Sequence, residues 1–112
     1  MKSLDGKVRN LMEAKIKGYL KSVFSAGPTA VRINCGGAGI QVECSGVLNK
    51  YERNLVDLLK MESSVVALRQ EVFRSTCGDL EKELERIIQS EISGSKLMMD
   101  TRNNRCNILL DC

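Results

Sequence analysis

Five cysteines, Cys35, Cys44, Cys77, Cys106 and Cys112, are the most reactive side chains in a 112-residue sequence that contains no histidine. A thiolate can attack an electrophile or bind zinc, but attack needs a base to take the proton, and structural zinc sites draw on thiols at Cys-x-x-Cys spacing. No two of these cysteines are spaced that way. The missing imidazole removes the commonest general base and the commonest metal ligand together. A Ser or Cys nucleophile would have to be activated by Lys or a carboxylate, and no nucleophile-elbow, P-loop or dinucleotide motif is present. The expectation is a protein that is not an enzyme, with no catalytic residue, no metal and no cofactor; a Cys-dependent enzyme is the weakest alternative.

Other groups that invite a chemical reading have plainer ones. Gly36-Gly37-Ala38-Gly39 lies between two strand-like runs, not ahead of a helix N-terminus, so it reads as a turn and not as a phosphate cradle. Glu81, Glu83, Glu85 and Glu91 interleave with Lys82 and Arg86, the pattern of a solvated helix face. The basic residues near the N-terminus stand out more: residues 1–27 carry six Lys/Arg against two Asp/Glu, whereas residues 48–93 carry seven against nine. Lys7, Arg9, Lys17 and Lys21, with Gly27, Pro28 and Arg32 after them, form the candidate interaction surface, suited to an acidic protein partner or an anionic membrane surface. No aromatic residue interleaves with these lysines and the isoelectric point is only about 8.7, which argues against nucleic acid. An alternative is a small-molecule or anion-sensing domain using a crevice at Gly27, Pro28 and Arg32.

The elements that must position these residues follow from periodicity. Over residues 4–24, Leu4, Val8, Leu11, Met12, Ile16, Tyr19, Leu20 and Val23 recur every three or four residues, which predicts an amphipathic helix ended by Ala26-Gly27-Pro28. Residues 29–46 switch to a two-residue period. Pairing Cys35 with Ile40 places Val31, Ile33, Cys35, Ile40, Val42 and Cys44 on one face and sets Arg32 opposite Glu43. Asn49 then caps a short helix buried through Leu48, Tyr51, Leu55, Leu58 and Leu59. A longer helix begins at Ser63 or Ser64. Its apolar stripe divides: Val65, Leu68 and Val72 mark one face, and Phe73, Cys77, Leu80, Leu84, Ile87 and Ile88 another. Either the helix kinks near Thr76-Cys77-Gly78-Asp79, where Thr76 and Asp79 can form a capping box, or it runs straight and meets two partners. A second hairpin turns at Asn103-Asn104, with Thr101 opposite Cys106 and Lys96 opposite Asp111. The fold class is therefore α+β: a mainly antiparallel sheet from two β-hairpins packed against helices, in the order α-β-β-α-α-β-β, within one domain spanning residues 1–112.

No apolar run approaches the roughly 20 residues of a membrane-spanning helix. The start of the sequence has no secretory pattern, and an odd number of cysteines suits a reducing compartment, so a cytoplasmic, possibly membrane-peripheral location is expected.

The helix ending in Phe24-Ser25-Ala26-Gly27-Pro28, the hairpin, Leu48-Asn49-x-x-Glu52-Arg53-x-Leu55, the Arg69/Phe73 helix and Gly94 before the last strands resemble the MpsC domain family. That family is named for a sodium-translocating, membrane-potential-generating system, and the resemblance covers about residues 4–111. Two departures from its pattern stand out. Ser25-Ala26 stands where a Gly and a basic residue are usual, and Asn49 stands where Thr is usual. The resemblance implies an accessory or regulatory protein of a membrane ion-transport system, with a membrane ion-transport protein as partner. The divided stripe of the long helix and the small core suggest a homodimer.

Overall fold

The computed structural model describes residues 4–25, 27–37 and 39–112. Along them run α1 (Gly6–Phe24), β1 (Ala30–Gly36), β2 (Gly39–Ser45), α2 (Lys50–Asp57), α3 (Glu62–Ile88), β3 (Gly94–Asp100) and β4 (Arg105–Asp111), the predicted order of an α+β fold. The two hairpins join through their inner strands into one antiparallel sheet, β1-β2-β4-β3. Three inward-facing rungs form the joint: Ile40 opposite Leu110, Val42 opposite Ile108, and Cys44 opposite Cys106. All six side chains are buried. α1 and α3 cover that face with Met12, Ile16, Leu20, Phe24, Phe73, Leu80 and Leu84, an almost wholly aliphatic core. No helix among the described residues is long and apolar enough to cross a membrane.

The first hairpin has the expected register, with Cys35 opposite Ile40 and Arg32 opposite Glu43. The second is displaced by two residues from the expected pairing: Met99 faces Cys106 and Gly94 faces Asp111, so Lys96 lies beside Leu109 instead. The turn is longer than expected. The Asp100 carboxylate accepts hydrogen bonds from the backbone and side-chain nitrogens of Asn103, and Asn104 takes a left-handed conformation (φ +53°). A two-residue shift returns every side chain to the same face, so the apolar set was still placed correctly.

Helix boundaries also moved. Asp5 caps α1 by accepting a hydrogen bond from the Val8 amide at 2.8 Å. At the other end Ser25, not Gly27, is the left-handed residue (φ +57°); Ala26, like Ala38 in the first hairpin loop, falls outside the described residues. α3 begins at Glu62, ahead of Ser63 and Ser64, without a side-chain cap. It continues unbroken through Gly78, because the Thr76 hydroxyl donates to the Val72 carbonyl within the helix instead of capping a new one. The divided stripe resolves into one seam once two polar residues are admitted to it. Arg69 fills the gap between Val65 and Phe73, and Thr76 meets the Tyr19 hydroxyl at 2.6 Å. Leu68 points to solvent. The second apolar face that suggested a homodimer is therefore part of this seam.

The short helix α2 gave the largest error. Its buried residue is Val56, while Tyr51 (73%), Leu58 (74%) and Leu59 (62%) are mostly exposed. Apolar residues at helical spacing normally mark the inward side, but Glu52 is the residue that must face inward here, and it turns Tyr51 and Leu58 away from the core.

Two backbone positions test this account. A Cβ on Gly39 (φ +150°) would run into the Leu110 carbonyl oxygen of the neighbouring strand, so Gly39→Ala should cost about 2 kcal/mol or more in urea denaturation. Ser25→Gly should instead stabilise by about 0.5–1 kcal/mol, because a non-glycine residue in the left-handed region carries roughly 1–2 kcal/mol of strain.

Candidate functional site

Among the described residues Arg69 and Glu52 have the most side-chain hydrogen bonds, three each, and Arg69 is only 2% exposed. Its Nη2 donates to the Val47 carbonyl at 2.7 Å and to Glu52 Oε1, and its Nε donates to Glu52 Oε2 at 2.5 Å, a two-pronged ion pair. The guanidinium also lies over the Phe24 ring, 4.1 Å from its centroid. Glu52 serves a second purpose as the third helical residue of α2. Its Oε1 accepts the Asn49 amide at 3.0 Å while the Asn49 Oδ1 accepts the Glu52 amide at 2.8 Å, a complete capping box. Asn49 Nδ2 donates to the Phe24 carbonyl at 3.3 Å, and the Leu48 amide donates to Asn104 Oδ1 at 2.8 Å. The cluster therefore fastens the end of α1, the exit of β2, the start of α2, the first third of α3 and the β3–β4 turn to one another. Its groups are already occupied by each other, and its chemistry is that of a clamp.

The sequence-predicted surface is only partly assembled. Lys7, Lys17 and Lys21 are exposed along one side of α1, within an arc of about 80° at 100° per residue. None of the three has a carboxylate at ion-pair distance among the described residues, whereas Lys15 reaches Glu83 at 3.7 Å. Gly27 lies against the stem of Lys21, and Pro28 is half-buried beside it. Arg9 does not belong to this surface: it donates Nε to the Leu4 carbonyl at 3.2 Å and Nη1 to the Ile33 carbonyl, tying α1 to β1. Arg32 lies on the opposite face of the sheet, 3.6 Å from Glu43, so it does not join Gly27 and Pro28 in one crevice.

The cysteines divide by depth. Cys44 and Cys106 oppose each other in the core, Cys35 and Cys77 are half-buried, and Cys112 is exposed. The facing Cys106 sulfur, with burial, pushes the Cys44 thiol up and holds it protonated. Partial burial, then Asp111 and Cys35, raise the Cys112 thiol as well.

What sequence reasoning overlooked was the clamp. An Arg four residues after Val65 and four before Phe73 stands on the buried stripe and so calls for a buried acceptor, and Asn49-x-x-Glu52 already spelled a capping box.

Glu52→Ala strands the buried guanidinium, and urea denaturation should show a loss of about 3–5 kcal/mol; the paired change Glu52→Leu with Arg69→Met should recover much of it. In native protein at neutral pH, iodoacetamide should modify Cys112 first, with a rate still rising above the ordinary thiol pKa of about 8.5, and should leave Cys44 and Cys106 untouched until unfolding, as peptide mass spectrometry would show.

Comparison with known proteins adds one assignment. No curated protein and no solved structure matches the chain. A family model described as "Na+-translocating membrane potential-generating system (MpsC)" matches residues 5–110. That span contains every helix and all but the last residue of the sheet, including the whole clamp. The chain therefore belongs to the MpsC family, as a component of a membrane-potential-generating system.

Proposed function

We propose that this chain is a non-catalytic accessory or regulatory subunit of an ion-transport system, held on the cytoplasmic side by contact with a membrane-embedded partner. The family assignment supplies the system, and the lysine row of α1 carries the rest of the reading. A helix whose apolar side is consumed by α3 and the sheet still presents Lys7, Lys17 and Lys21 to solvent without intramolecular ion pairs among the described residues. Three cations fixed on one rigid helix suit an acidic segment of a partner, because their spacing is set before the encounter and their charge steers it.

The role assigned to α1 is one of docking, so stability and binding should separate. Charge reversal at Lys17 and Lys21 (K17E/K21E) should lower retention on membranes containing the transport system by about tenfold or more, with a salt-sensitive parent interaction and an unchanged melting temperature. Undiminished retention of the variant would remove α1 as the contact.

A further inference from the structure

One rung of the joint between the two hairpins is made of thiols. Of the three inward-facing pairs, Ile40 with Leu110 and Val42 with Ile108 are hydrocarbon, whereas Cys44 stands directly opposite Cys106. Both cysteines are free and both are 1% exposed. Directly opposite residues of antiparallel strands lie about 4.5–5.5 Å apart between Cα atoms, inside the roughly 4.4–6.8 Å that a disulfide spans. The two side chains leave the sheet on its buried side, so neither strand has to turn for the sulfurs to meet.

The surroundings of this rung are not those of an inert aliphatic pair. Arg69 Nη2 is bonded to the Val47 carbonyl, three residues beyond Cys44, and the guanidinium charge reaches Cys106. The facing Cys44 thiol draws the Cys106 thiol below its ordinary value; burial opposes the change and Arg69 adds to it. Cys44 is pushed the other way by the same neighbour. The rung therefore sets a thiol ready to lose its proton against one that keeps it, which is the asymmetry that oxidation to a disulfide uses. Cys112, although exposed, is held toward its unreactive thiol form.

We propose that Cys44 and Cys106 are an oxidation site, joined as a disulfide in the folded protein when it meets a peroxide. The Cys106 thiolate attacks one oxygen of hydrogen peroxide and breaks the O–O bond, giving a sulfenic acid and a hydroxide that takes up the proton Cys106 released. The Cys44 sulfur then attacks the sulfenic sulfur. The S–S bond forms as the S–O bond breaks, and the Cys44 proton leaves with the departing hydroxyl as a second water. Two thiols lose two electrons and the peroxide gains them. Peroxide is neutral and close to water in size, and the product adds no atom to a close-packed core, whereas alkylation by iodoacetamide would have to make room for one more group. The new bond ties β2 to β4 and closes the long loop between positions 44 and 106, the kind of cross-link that restricts an unfolded chain most. Thiol reductants reverse it by exchange. The site is independent of the lysine row of α1.

Trypsin leaves Cys35 with Cys44 in one peptide and Cys106 with Cys112 in another, so the full chain carrying Cys35→Ser, Cys77→Ser and Cys112→Ser makes the linkage unambiguous. Reduced, freed of reductant and treated with hydrogen peroxide while folded, this variant should give a monomer lighter by two hydrogens, with the Cys44 peptide joined to the Cys106 peptide. Its melting temperature should rise by about 10 °C or more and return to the reduced value with dithiothreitol. The parent chain should show the same reversible rise, which does not depend on the three serines. Thiols that stay reduced in the folded protein and join only in urea would overturn the proposal. So would a sulfinic acid at Cys106 with no cross-link, or a cross-linked protein whose melting temperature is unchanged.

Discussion

A cation buried in an aliphatic core sets the terms for much of this fold. Arg69 cannot be left in that environment without partners, since an unpaired buried charge costs several kcal/mol. The chain supplies them from three places: a carbonyl leaving β2, a carboxylate on α2 and an aromatic face at the end of α1. Each partner is useful only when its own element is in place. The clamp thereby converts one electrostatic debt into a requirement that the elements meet in one arrangement.

The orientation of α2 follows from that requirement. Hydrophobic periodicity would have turned Tyr51, Leu55 and Leu58 inward, yet Glu52 takes the inward place and two of the three are left in solvent. Leaving Tyr51 and Leu58 outside the core gives up several kcal/mol of burial at roughly 1.5–3 kcal/mol for each large apolar side chain. This helix therefore gives up stability and leaves Tyr51 and Leu58 exposed. Four of the residues that carried the family resemblance, Phe24, Asn49, Glu52 and Arg69, belong to the clamp, so that part of the resemblance traces the architecture.

Much of the architecture was legible because alternation and three-to-four spacing are strong local signals. The Arg32–Glu43 pairing came directly from matching apolar faces, and Asn49 was readable as a cap. The second hairpin is displaced by two residues because its turn depends on hydrogen bonds that Asn103 donates to the Asp100 carboxylate, which period-two alternation does not encode. The candidate surface was less legible for a related reason. Lys7, Lys17 and Lys21 face solvent as an amphipathic helix requires, but Arg9 is drawn to the Ile33 carbonyl on another element, and Arg32 stays with Glu43, the partner the hairpin register gives it. A cation's charge is written in its residue type, whereas its availability depends on tertiary neighbours.

The joint between β2 and β4 bears on how the chain assembles. Its partners are far apart in sequence: Gln41 and Asn107, hydrogen-bonded at 3.2 Å, stand 66 residues from one another, while each hairpin closes over a handful. Local hairpins and the α2–α3 pair can form on their own, but the middle of the sheet must wait until nearly the whole chain has been synthesised, and such long-range pairing is slow. During that interval β2 and β4, each with three side chains that end up buried, are open edges of two unfinished half-sheets. An unjoined hairpin can then pair with the complementary hairpin of another molecule as readily as with its own, which makes this joint the natural point of strand exchange and aggregation at high rates of synthesis.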